Sequence, residues 1–101
     1  MNLAALIGEV VTDVEAHGAG AVTFSVAVIG RGGGVGGTFV VEARGAQGEA
    51  CRRFLRRGHR VAIEGAVNPE ASTVQVVAER VQFLTSRAQA EEQRVGDRRA
   101  A

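Results

Sequence analysis

Lysine, tryptophan and tyrosine are absent from this 101-residue chain; cysteine, proline and methionine occur once each, and the aromatics amount to four phenylalanines. Each shortage excludes something. A single cysteine, Cys51, cannot close an internal disulfide, and its place among apolar helix positions reads as a small buried thiol. Without Trp or Tyr the interior has to be built from Val, Ala, Leu and Ile, and the many valines favour strands. No stretch reaches the ~18 consecutive apolar residues of a membrane span, and no basic segment leads into an apolar run at the start, so the expected location is the cytoplasm, with no membrane partner. His17 and His59 are far apart with no second cysteine, which leaves no metal site to argue for. Ser, Cys and carboxylates form no catalytic arrangement, so neither enzyme nor cofactor is expected.

Charge of one sign is also scarce: the net charge is +1, which by itself points to no nucleic-acid partner. All 12 basic residues are arginine, however, so every cation carries a planar fork suited to phosphate or to the face of a base. A GC-rich coding sequence gives the same bias and is its larger expected cause.

What is present organises into one domain over residues 1–84, followed by a polar tail, 85–101, expected to be disordered. Leu3 to Val11 reads as a long first strand bent at Gly8. After a turn containing Gly18 and Gly20, Val22 to Ile29 alternates as a second strand, with Phe24, Val26 and Val28 on one side. GRGGGVGG, 30–37, is a connecting loop; it lacks the GK[ST] ending and the following helix of a phosphate cradle. Thr38 to Arg44 is a third strand, His59 to Gly65 a fourth, and, after a turn at Asn68 and Pro69, Thr73 to Leu84 a fifth.

Between the third and fourth strands, Ala46, Ala50, Cys51, Phe54 and Leu55 recur at helical spacing, with Arg52, Arg53, Arg56 and Arg57 outside the stripe and Gly58 as the stop. Four arginines on one helix suggest a polyanion, although a charge run on a helix is commonly its solvated face. Three strands, a helix and two more strands give the order of an OB-fold, an all-β, five-stranded Greek-key barrel with one helix between strands 3 and 4.

Four segments carry a resemblance: MNLAALIGEVVTDVE at the start, VTFSVAV at 22–28, GEACRRFLRRGHRVAIEG at 48–65, and the closing VVAERVQFL. In sequence and spacing they are similar to the bacterial single-stranded DNA-binding protein family, over roughly residues 1–84. The resemblance implies an OB-fold that coats single-stranded DNA in replication, repair or recombination without sequence preference. It further implies a nucleoid-associated place in the cytoplasm and a homotetramer of dimers paired through their first strands. The helix would plug the lower end of the barrel, leaving its arginines as a solvated face.

The chain departs from that family in its aromatics. With the Arg57-Gly58 helix end in register, the stacking positions of the third strand fall at or near Thr38 and Arg44, and the tryptophans of two loops are missing. The expected groove residues are Arg31, Phe39, Arg44 and Arg60, so binding should depend on charge more than on stacking. Leu3, Ala4, Leu6 and Ile7, apolar on both faces of the first strand, are the expected oligomer interface; from the residues alone, dimer and tetramer both stay open. The family's acidic C-terminal tip is absent, since the chain ends VGDRRAA, which puts recruitment of replication or repair proteins by that route in doubt while leaving such partners open. An alternative is an interaction module akin to primosomal replication protein N, holding a partner protein together with weakly bound single-stranded DNA. A structural or small-ligand barrel that has lost nucleic acid is a third reading.

Overall fold

The computed structural model describes residues 3–29, 35–68 and 74–85. Arg31 with most of the glycine-rich loop, the Pro69 turn and the tail from residue 86 lie outside the described residues. Five strands, β1 (Leu3–Val10), β2 (Val22–Ile29), β3 (Val35–Ala43), β4 (Arg60–Asn68) and β5 (Gln75–Phe83), are joined by one helix, α1 (Gly45–Phe54), between β3 and β4. They close into a barrel in the order β1-β2-β3-β5-β4-β1. Every contact is antiparallel except β3 with β5, where Val40–Glu42 runs parallel to Gln75–Val77. A two-residue strand, Glu15–Ala16, adds to β2 beside Val22 and Thr23. This is the OB-fold that the element order predicts.

Alternation assigns the faces. Ala4 and Leu6 point inward against a core of Val10, Val22, Phe24, Val26, Val41, Ala43, Val61, Ile63 and Val76, while Leu3 and Ile7 point out. The barrel closes where β1 changes neighbours: Leu3–Glu9 pairs with β4, and Gly8–Val10 also pairs with β2. A Cβ on Gly8 would run into the carbonyl group of Ala27, so only glycine permits this approach.

At the lower end, α1 packs on the barrel through Gly48 and Cys51. A Cβ on Gly48 would stand 2.8 Å from the Gly20 carbonyl oxygen and 2.9 Å from that of Ala43. The helix ends at Phe54, four residues before the expected stop at Gly58, because Leu55 adopts an extended backbone that turns its side chain under the barrel. Leu55 is 2% exposed and Cys51 fully buried, whereas Phe54, expected on the buried stripe, is 58% exposed, and Ala46 is exposed as well. Arg56 folds back to donate to the carbonyl oxygens of Leu55 (2.8 Å) and Arg53 (3.2 Å), groups that the early helix end leaves without partners.

β3 starts three residues earlier than its sequence pattern and β4 runs three residues past Gly65, since the β4–β5 ladder continues through a bulge at Glu64/Gly65. The bulge sets Glu79 outside the ladder, between Arg80 and Ala78. The Gln47 carboxamide of α1 fills the gap, donating to the Glu79 carbonyl and accepting from the Val81 N–H.

Three measurements check this packing. Gln47→Ala should lower unfolding stability by about 1–2 kcal/mol in a denaturant titration, the cost of leaving those backbone groups unmatched. Burial pushes the Cys51 thiol up to about 11 from an ordinary 9.0. Because the unfolded thiol ionises first, stability should hold below pH 9 and fall between pH 9 and 11. A thiol reagent at pH 8 should label Cys51 only at the rate of global opening.

Candidate nucleic-acid interface

The outer face of β2 and β3 mixes small polar with aliphatic and acidic residues. Thr23, Ser25 and Ala27 stand opposite Glu42, Val40 and Thr38, and β5 continues the row with Gln75 beside Val40. The apolar residues between them, Phe24, Val26 and Val41, occupy the core side. Arg44 donates to Glu42 (Nε–Oε1 2.9 Å), and Gln75 donates to the other Glu42 oxygen (3.4 Å) and accepts from Asn68 (3.5 Å), tying β3, β5 and β4 together. At the opposite edge His17 Nε2 lies 2.8 Å from the Thr23 hydroxyl. The Arg44 side chain is 68% exposed and the Glu42 carboxylate beneath it 16%, so the cation reaches solvent while its charge is matched.

Of the three expected groove residues that the structure describes, Arg44 lies on this face. Phe39 pairs with Val26 and shares the inward alternation of Val41 and Ala43, so its half-buried ring points to the core side. Arg60 is on β4, opposite Glu9 of β1, and its backbone N–H donates to the Thr85 hydroxyl (2.7 Å). Arg31 lies outside the described residues. Of the expected interface residues, Leu3 and Ile7 are more than 60% exposed, and Ala4 and Leu6 face the core. On its β2 side β1 is paired only from Gly8 onward, which leaves Leu3–Ile7 as a strand edge among the described residues. Thr23, Ser25, Glu42, Gln75 and Asn68 are new to the site; the alternation of Thr23 and Ser25 with Phe24 and Val26 is their signal in the sequence.

A second charged surface surrounds the end of α1. Arg52 pairs with Glu49 at 2.6 Å, and that hydrogen bond holds the Glu49 carboxyl below the usual carboxylate range. Arg57 pairs with Asp13 at 3.0 Å, and the Arg53 guanidinium lies 5.2 Å from the centre of the Phe54 ring. Asp13, Val14, Arg52, Leu55 and Arg56 line a cleft of about 270 Å³ between helix and barrel. Among the described residues no group of His, Cys, Asp and Glu is placed to hold a metal ion, and no helix is long and apolar enough to cross a membrane.

No protein-family model and no curated protein sequence matches the chain. Solved structures do. The barrel is similar to the mitochondrial single-stranded DNA-binding protein Rim1 of S. cerevisiae, with a TM-score of 0.70 at 16% identity over 82% of this chain and 93% of that one. It is also similar to the small single-stranded DNA-binding protein of Streptomyces coelicolor, with a TM-score of 0.68 at 24% identity over 82% and 94%. The dimeric N-terminal domain of PriB from Thermoanaerobacter tencongensis gives a TM-score of 0.67 at 21% identity over 84% and 98%. At these identities the likeness is one of fold.

Alternation places Phe39 on the Val41 side of β3, half-buried at the margin of the core cluster. Phe39→Ala should cost about 2 kcal/mol in chemical denaturation, less than the 3–5 of a fully buried ring, whereas Thr38→Ala next to it should change stability by under ~0.5 kcal/mol.

Proposed function

We propose that this chain binds single-stranded DNA without sequence preference across the outer β2–β3 face, in the service of replication, repair or recombination. The observation that carries the reading is the barrel itself, which matches more than nine-tenths of two proteins named for binding single-stranded DNA. Hydroxyls of Thr23, Ser25 and Thr38 offer donors and acceptors along the strand path, and Arg44 supplies the charge at its end. Among the described residues the face carries no aromatic side chain, so stacking contributes little and affinity rests on phosphate neutralisation. Glu42 competes with phosphate for Arg44, and binding therefore exchanges one anion for another at the same guanidinium.

In this reading the Leu3–Ile7 edge, with Leu3 and Ile7 exposed beside it, pairs with a second copy, which removes an open strand edge and assembles an oligomer. A tetramer built from two such dimers would multiply the weak faces along one strand. A second reading, a module that holds a partner protein and only weakly binds DNA, draws on the likeness to the PriB domain and on the missing aromatics.

Fluorescence anisotropy with labelled oligo-dT at varied salt tests both. Binding that is indifferent to base composition and falls steeply with salt is expected, weakened about tenfold by Arg44→Glu and strengthened by Glu42→Gln. No binding at 20 mM salt overturns the proposal, and weak binding that a replication protein strengthens favours the second reading.

A further inference from the structure

We propose that the C-terminal end of α1 is a second contact surface for single-stranded nucleic acid, where phosphates meet Arg53 and Arg56 and a base stacks on Phe54; this rests on the reading of the β2–β3 face as the primary contact. The argument begins with charge. Of the four helix-end arginines, Arg52 and Arg57 are matched by Glu49 and Asp13, whereas Arg53 and Arg56 have no carboxylate within ion-pair distance among the described residues. Arg56 is also pre-oriented. Its guanidinium is held by the carbonyl oxygens of Leu55, Arg53 and Arg52, which engages three of its five donors and leaves the others for an anion.

Phe54 supplies what the β2–β3 face lacks. It is the most exposed phenylalanine among the described residues, and it is exposed because the helix stops early and buries Leu55 in its place. With Arg53 lying over the ring, the pair forms a flat cationic platform of the kind on which bases stack. Beside it, the cleft lined by Asp13, Val14, Arg52, Leu55 and Arg56 combines an apolar floor with two guanidinium groups.

The two surfaces are within reach of one strand. Arg44 caps the start of α1, and nine residues of helical rise separate it from Arg53 by about 13 Å. The segment from Asp13, which pairs with Arg57, to His17, which contacts Thr23, joins the helix end to the β2–β3 face along the other side. A guanidinium pair next to an exposed ring fits a nucleic acid better than an acidic protein segment, which has no flat group to stack.

Binding to oligo-dT of two lengths tests the proposal: one of about 8 nucleotides, enough for a single barrel face, and one of about 30. In the double variant Arg53→Glu with Phe54→Ser, affinity for the short oligonucleotide should stay within about twofold of wild type. Affinity for the long one should fall at least tenfold, with the slope of log K against log salt shallower by about 0.7 for the lost contact. Arg53→Gln, which removes the charge but keeps a polar side chain and leaves the Arg56 cap alone, should move the long-oligonucleotide values in the same direction, with circular dichroism confirming the fold of both variants. Glu49→Gln, which releases Arg52, should tighten long-oligonucleotide binding. If wild type binds both lengths and the variants match it, this inference alone is overturned. If wild type binds neither, the reading of the β2–β3 face fails and this inference with it. Equal losses at both lengths would make the helix end the primary contact and overturn its secondary role. Binding of a poly-glutamate peptide that disappears in the variants while DNA binding persists would assign the surface to an acidic protein instead.

Discussion

Closure of the barrel at Gly8 is the constraint on which the rest of the structure depends. At that residue β1 is hydrogen-bonded to β4 on one side and begins its pairing with β2 on the other, at a separation that leaves no room for a side chain against Ala27. Once the sheet is closed, every strand has an inside and an outside, and the two-residue period decides which side chains meet solvent. The aliphatic interior follows, with Phe24 as its one fully buried ring and Leu55 and Cys51 sealing the lower end. So does the polar character of the outer β2–β3 face, because the same alternation that buries Val22, Phe24 and Val26 turns Thr23 and Ser25 outward.

Charge is distributed unevenly over this frame. On the β2–β3 face Arg44 is tied to Glu42, and around the end of α1 two arginines are matched by carboxylates while two are held by carbonyl groups or a ring. A net charge of +1 is thus compatible with a local cationic surface, since most acidic side chains are either used in pairs or placed elsewhere. The ion pairs are exposed and contribute little to stability; their effect is to hold side chains in place and to set which guanidinium groups are open to an external anion.

Much of the fold was legible in the sequence, because it was written in periodicity. The alternating runs at Val22–Ile29 and Val61–Ile63 placed strands, Gly8 marked the special point of the first strand, and the order of elements pointed to the barrel. The end of α1 was not legible. Ala46, Cys51, Phe54 and Leu55 all fit a helical stripe, and only the position of the barrel floor decides that Leu55 leaves the helix to fill it while Phe54 turns to solvent. Which residues share the candidate face depends on strand register. Phe39 is one residue away from the outward row, and on a strand a shift of one residue exchanges the two faces; the pairing of Arg44 with Glu42, by contrast, spans two residues and stays on one face.

The Gln47 carboxamide has a consequence for how this barrel can change over evolution. By occupying the backbone groups on either side of the β5 bulge, it anchors the register of β4 and β5 from the helix, independently of the connection between the two strands. Residues can therefore be gained or lost between β4 and β5, and a longer finger grown, without propagating a slip into the sheet. A family of such barrels can vary its reach at that corner while keeping one rigid body beneath it.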